Sequence, residues 1–315
     1  MLSLIVPVYR NEGSIPELLQ SLEGLNQSLG GNMEAVLVVD GSPDLCYDLL
    51  RQALPQCRFR SQLILLSRNF GSFSAIRVGL QAGVGRHFAV MAADLQEPPD
   101  MVLRMRKHLA ADEADVVVGV RETRDDPWHQ RWPAQIFWAL YRRYVVTEMP
   151  SGGVDVFGCS RAFRDALLQL EERHSSLVAQ IFWLGYRRVQ VGYQRLPRRH
   201  GRSAWTFGRK LNYLSDSLFS FSDLPIKLLM RGGALGVFFS CLVGAVVAAA
   251  RLMGAITVPG YTMIMLTIVF LGALNMLGLG IVGSYAWRAY ENTKQRPLAV
   301  VLCAQSFAPM PPAAT

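Results

Sequence analysis

A chain of 315 residues, 51% hydrophobic and 18% charged with a formal net charge of +8, has room for one large domain and an accessory part. The positive balance suits phosphates or anionic lipid; nucleic acid is excluded, because no zinc-finger spacing, aromatic RNA-binding signature or basic repeat appears. The scattered cysteines, Cys46, Cys57, Cys159, Cys241 and Cys303, have no C-x-x-C spacing and are expected as reduced thiols of a cytosolic domain.

Residues 2–8 lack a basic leader and are too short for the apolar part of a signal peptide, so none is expected. Residues 3–8 (SLIVPV) read as a buried strand, with Pro7 tolerated near its end. Ser14-Ile15-Pro16-Glu17 has the form of a capping box, and Leu18, Leu22, Leu25 and Leu29 then recur at helical spacing. Residues 35–39 give a second strand, running into the turn cluster Asp40-Gly41-Ser42-Pro43-Asp44. Residues 62–66 give a third strand, 74–82 a helix, 87–92 a fourth strand, 101–109 a helix and 115–119 a fifth strand. Strands alternating with helices in this way predict an α/β fold with a mostly parallel, doubly wound sheet.

The fourth strand ends in Asp94-Leu95-Gln96, closed by Pro98-Pro99. A carboxylate just past the carboxyl end of a central strand lies where open α/β sheets bind ligands. Such an acid suits Mg2+, which commonly takes one or two carboxylates together with substrate phosphates. Past Arg121 the alternation breaks, and arginines are interleaved with Trp128, Trp132, Phe137, Trp138 and Tyr141. Arg121 and Arg131 flank a loop beside the sheet's carboxyl edge and are expected to contact anions. Asp155 lies in the otherwise apolar run 152–161, where a buried acid needs a partner or belongs to the site. Residues 177–185 predict a helix, and 195–202 (RLPRRHGR) a basic loop.

Residues 205–230 are amphipathic and rich in aromatics, the pattern of a segment lying in the lipid interface. Residues 232–250 and 252–287 carry no charge and each exceeds the roughly 18 residues of a membrane-span candidate. The short connection at 251–260 makes them a hairpin, and residues 231–287 are expected to be two transmembrane helices. Lys227, Arg231, Arg288, Lys294 and Arg296 outweigh Arg251, so both termini and the α/β domain are expected on the cytoplasmic side of the membrane. The Pro- and Ala-rich tail after Ala299 is expected to be disordered. The resulting division is a catalytic domain at 1–204, interfacial helices at 205–230, the hairpin, and a cytoplasmic tail at 288–315.

Pro7-Val8-Tyr9-Arg10-Asn11-Glu12, Asp40-Gly41-Ser42-Pro43-Asp44, Arg68-Asn69-Phe70-Gly71, Asp94-Leu95-Gln96-Glu97-Pro98-Pro99 and Gly201-Arg202-Ser203 stand in an order that resembles the inverting family 2 glycosyltransferases. Gly283-Ser284-Tyr285, Arg288-Ala289-Tyr290-Glu291 and Lys294-Gln295-Arg296-Pro297 make the likeness closer to the polyprenyl-phosphate sugar transferases. The resemblance implies a nucleotide-diphospho-sugar transferase fold. It implies that Pro7, Tyr9 and Glu12 line the base and ribose, with Asp40 near the base. Asp94 and Gln96 would hold Mg2+ or Mn2+ on the diphosphate, Arg121 and Arg131 would receive the acceptor phosphate, and Arg198, Arg202 and Ser203 would clamp the phosphates. Asp155 is expected to orient the sugar or an arginine.

The implied reaction moves a sugar from a nucleotide-diphospho-sugar, expected to be UDP-linked, to a polyprenyl phosphate at the bilayer, in the service of cell-envelope glycan or lipid modification. The sequence departs from the family pattern at Val39 and Ala92, where acids are usual, and at Ser72 and Ala204, where lysines are common. These departures keep open a catalytically impaired, membrane-tethered member acting as a nucleotide-binding scaffold. A homo-oligomer is also left open.

Overall fold

The computed structural model describes residues 1–121, 142–143, 146, 148–150, 154–172, 175–197, 216–217, 219, 222, 224–253 and 260–310. They divide into two compact units, Met1–Tyr213 with Pro297–Thr315, and Leu214–Arg296.

The first unit is built on an eight-stranded mixed sheet. Its strands are β1 (Leu2–Val8), β2 (Met33–Val39), β3 (Arg60–Leu66), β4 (His87–Val90), β5 (Val116–Arg121), β6 (Val154–Ser160), β7 (Arg188–Tyr193) and β8 (Val301–Phe307), in the order β7-β5-β6-β4-β1-β2-β3-β8. The helices joining them are α1 (Ile15–Ser28), α2 (Cys46–Ala53), α3 (Ser72–Ala82), α4 (Asp100–Ala110), α5 (Arg161–Leu168) and α6 (Leu177–Trp183).

β1 and β2 are the centre. All of β2 and nearly all of β1 are buried, as continuous apolar runs must be when helices cover both faces. β1 pairs in parallel with β2 on one side and β4 on the other. The chain winds outward from β1 to β3 and then returns to β4. The crevice between the carboxyl ends of β1 and β4 is therefore the switch point where doubly wound sheets take ligands. Pro7 fits this place. Odd residues of β1 face β4, as the bond from Met91 N–H to Ile5 O records at 3.0 Å, and β4 ends at Val90. The N–H that Pro7 lacks would have pointed into that gap.

The winding is less uniformly parallel than expected. β6 runs antiparallel between β4 and β5, and β8 runs antiparallel to β3. Because β6 reverses direction, its amino end lies beside the carboxyl ends of β4 and β5. Asp155 is thereby placed on the same edge as the other motif residues.

Two sequence expectations are corrected here. Leu18, Leu22, Leu25 and Leu29 are buried on α1 as the spacing requires, but no capping box forms. A 3-10 turn at Glu12–Ser14 leaves Ser14 helical at φ −96°, and its hydroxyl donates back to Asn11 O at 2.9 Å. The tail after Ala299 is not disordered: Val301–Phe307 closes the sheet as β8, and the Met310 N–H donates to Cys57 O at 2.9 Å. Of residues 205–230, expected as interfacial helices, Leu224–Met230 forms the first two turns of a longer helix, and most of the rest lies outside the described residues.

In the second unit, that helix is α7 (Leu224–Leu252), followed by α8 (Tyr261–Thr293). Gly236 lies against Leu274 and Gly278 against Leu229, so the two helices run antiparallel with small residues at their contact. Among the described residues one stretch, Phe270–Thr293, is long and apolar enough to cross a membrane. Two of the expected cytoplasmic cations are paired locally. Arg288 bonds Asp216 at 2.9 Å, and Lys294 pairs with Glu291 and lies 4.3 Å from the centre of the Tyr290 ring.

Candidate active site

Six strands, β1 to β5 and β7, point their carboxyl ends to one edge of the sheet. From β3 to β7 that edge presents the turn 68–71, the loop Asp40 to Asp44, Tyr9 to Glu12, Asp94 to Gln96, Asp155, Arg121 and Arg195. Residues scattered over nearly two hundred positions thus gather in one line. Two non-glycine residues at this edge, Arg10 (φ 54°) and Leu95 (φ 52°), hold left-handed backbone, a conformation that is costly and accumulates at functional sites.

On the β1–β2–β3 side, carboxylates hold the loops. Asp40, 2% exposed, accepts the Phe70 N–H at 2.7 Å and the Gly71 N–H at 2.8 Å, pinning the turn before α3. Expected near the base, its carboxylate is committed to this turn. Gly41 has φ 53°, and a Cβ there would lie 2.2 Å from the Arg68 carbonyl carbon, so only glycine fits. Glu12 accepts the Leu45 N–H at 3.2 Å, while Asp44 accepts the Glu12 N–H at 3.3 Å, a reciprocal clasp between two loops. Burial opposes ionisation of Asp44, but bonds from the Ser42 hydroxyl, Cys46 and the Glu12 N–H hold its carboxyl below the usual range. Burial and the neighbouring Asp44 push the Cys46 thiol up to about 12, so it is not a nucleophile. Tyr9 lies under the Arg10 guanidinium, 5.4 Å from ring centre to charge.

On the β4 side, Asp94 is half-buried and its Oδ1 faces the Gln96 N–H at 3.4 Å. Gln96 is turned the other way. Its Oε1 accepts from Arg195 Nη2 at 2.5 Å, its Nε2 donates to Leu196 O at 3.3 Å, and its carbonyl accepts the Leu196 N–H at 2.8 Å. For a divalent cation this arrangement is a partial fit. Asp94 offers a carboxylate, Ala92 offers no ligand, and the Gln96 amide oxygen already lies on a guanidinium. Among the described residues no group of three or more His, Cys, Asp or Glu gathers as a metal site.

Arg121 ends β5 and pairs in register with Tyr193, two residues before Arg195. The Arg104 guanidinium on α4 holds the end of β7 through Gly192 O at 2.8 Å. Asp155 is the second residue of β6. Arg131, Arg198, Arg202 and Ser203 lie outside the described residues. Sequence reasoning missed two participants: Asp44, read only as a turn former, and Arg195, read only as part of a basic run. Asp44 stands four residues after Asp40 in a Ser- and Pro-containing turn, a signal that could have found it. The pairing of Arg195 with Gln96 spans 99 residues and left none.

The model of glycosyl transferase family 2 matches residues 3–170. Over 95% of its length the chain is 30% identical to an uncharacterized glycosyltransferase of Synechocystis, covering 94% of that protein. It is also 30% identical, over 94% of its length and 88% of the relative's, to undecaprenyl-phosphate 4-deoxy-4-formamido-L-arabinose transferase of Pseudomonas paraeruginosa. Among solved structures, a mannosyltransferase of Pyrobaculum calidifontis in complex with GDP-Man and Mn2+ aligns at 16% identity and a TM-score of 0.45, over 91% of this chain and 87% of that one. The chain belongs to glycosyl transferase family 2. It is a glycosyltransferase built on a mixed α/β sheet.

Proposed function

We propose that this glycosyltransferase transfers a sugar, with inversion, from a UDP-linked donor to a polyprenyl phosphate at the cytoplasmic face of the inner membrane, for cell-envelope glycan or lipid modification. The observation that carries the reading is the placement of Asp94, Arg121 and Arg195 on one edge of the sheet, after β4, β5 and β7, with the Glu12–Asp44 clasp on the β1–β2 part of that edge. The relative from Pseudomonas, named for an undecaprenyl-phosphate acceptor, gives it further support.

The chemistry suits these residues. A phosphate monoester has a second pKa near 6 and is largely ionised at neutral pH, so the acceptor has little need of a general base. The difficulty is electrostatic, since an anionic nucleophile must approach an anionic diphosphate. Arg121 and Arg131 are proposed to receive the acceptor phosphate, and Arg198, Arg202 and Ser203 to close on the donor's phosphates, because a guanidinium is always charged and forked for phosphate. Asp155 would orient the sugar or an arginine. Pro7, Tyr9 and Glu12 would line the base and ribose, with Asp40 acting through the turn that it pins. Mg2+ or Mn2+, held by Asp94 and the donor's own oxygens, would supply Lewis-acid stabilisation of the leaving diphosphate.

The antiparallel pair α7 and α8 is proposed as a two-helix transmembrane hairpin that tethers the catalytic unit to the bilayer, where the acceptor's head lies. Both termini would then be cytoplasmic, and β8 would bring the chain back to the sheet after the second span. A second reading, a nucleotide-binding scaffold without transfer, is favoured by Ala92 and by the engagement of Gln96. Purified protein incubated with labelled UDP-sugars, undecaprenyl phosphate and either cation separates the two: labelled lipid supports transfer, and nucleotide binding without product supports the scaffold.

A further inference from the structure

The side chain that the sequence offers as a second metal ligand is turned toward another segment of the chain. Gln96 is 8% exposed and makes three bonds to two consecutive residues. Two of them cross between the same pair in opposite senses, Leu196 N–H to Gln96 O at 2.8 Å and Gln96 Nε2 to Leu196 O at 3.3 Å. The third is the bond from the Arg195 guanidinium to Gln96 Oε1 at 2.5 Å. Leu95, in left-handed backbone, makes the sharp turn that presents Gln96 to this segment.

An amide oxygen accepting from a guanidinium at that distance has its best lone pair engaged and a full positive charge beside it. A divalent cation on the same oxygen would displace the first and be repelled by the second. The two roles compete for that oxygen. Immediately beyond Leu196 the chain passes through Pro197 into Arg198 and Arg202. On the other side of Arg195, Tyr193 is in register with Arg121.

We infer that Gln96 is a positioning residue. It latches Arg195 and Leu196 to the Asp94 loop, where the cation is proposed to sit, and it does not ligate that cation. The inference rests on the proposed cation-binding role of Asp94.

Two measurements on the full-length protein test it. The first is hydrogen exchange over residues 194–197 in wild type, Gln96→Ala and Arg195→Ala; faster exchange in both variants is expected, and wild-type protection in both would overturn the latch. The second is transfer kinetics with MgCl2 or MnCl2 titration. Gln96→Ala and Arg195→Ala should each lower kcat/KM for the nucleotide-sugar donor about tenfold, as expected for one charge-assisted hydrogen bond. The double variant should fall no further than either single one, and the half-saturating metal concentration should stay within about twofold, since no ligand is lost. Gln96→Glu keeps an acceptor for Arg195 and should recover most of the loss. A large rise in metal requirement confined to Gln96→Ala, or tighter metal binding by Gln96→Glu, would make Gln96 a ligand and overturn the inference. Arg195 is exposed, so if Gln96→Ala does not fold, Arg195→Ala decides the latch and Gln96→Glu decides ligation. Should wild type transfer nothing, the proposed function fails, while hydrogen exchange still decides the latch.

Discussion

Asp40 grips Gly71 across the carboxyl edge of the sheet, its Oδ2 accepting the Gly71 N–H at 2.8 Å while Oδ1 takes the Phe70 N–H. One buried carboxylate thus joins the loop after β2 to the first turn of α3. Removing it in Asp40→Ala leaves two backbone donors without their acceptor and should cost about 2–4 kcal/mol. Thermal or urea unfolding measures this. A loss well under about 1 kcal/mol would mean that water replaces the carboxylate freely.

Gly41→Ala tests the close approach beneath that loop. The left-handed φ alone costs about 1–2 kcal/mol for a residue with a Cβ, and the contact with the Arg68 backbone forces the two loops apart. Nucleotide affinity and stability should fall together, read by calorimetric titration with UDP and by melting temperature. An unchanged affinity would separate this loop from the donor site.

The acid side of the stability profile follows from Asp44 and Asp115. Both carboxyls lie below their ordinary value of 3.8, Asp44 through its hydrogen bonds against the opposing effect of burial, Asp115 chiefly through its bond to Arg187. A depressed folded-state pKa gives stability that is fully present above the unfolded value and lost as pH falls through the folded one. Melting temperature should therefore drop as pH falls below about 4, and Asp44→Asn should flatten that drop. An identical acid slope in the variant would assign the transition to other groups.

The tail gives the sharpest contrast between sequence and structure. Truncation after Pro297 removes β8 and uncovers the β3 edge, so melting temperature should fall and aggregation rise. A disordered tail would predict no change in either.

What was legible in the sequence depended on burial. The runs that became β1 to β5 are apolar because both faces are covered, and Leu18, Leu22, Leu25 and Leu29 betray α1 by their spacing alone. β7 and β8 are half-exposed, with Leu302 66% exposed. Their mixed patterns, set among Pro, Ala and Arg, resemble loops until a partner strand is known. The motif residues could be chosen from their chemistry and their places after strands, because strand ends define the ligand edge. Their bonding could not. Ser14 turns away from the helix it was expected to cap because a 3-10 turn precedes it, and Gln96 turns to Arg195 because the segment after β7 passes beside it, both facts of tertiary placement.

The central claim is that this edge brings a nucleotide sugar to a lipid phosphate. The direct measurement is labelled-sugar transfer from a panel of UDP-sugars to undecaprenyl phosphate by the purified full-length protein in vesicles with Mg2+ or Mn2+. The account predicts a labelled lipid with at least one donor and its loss in Asp94→Ala. Nucleotide binding with no lipid product from any donor would contradict it.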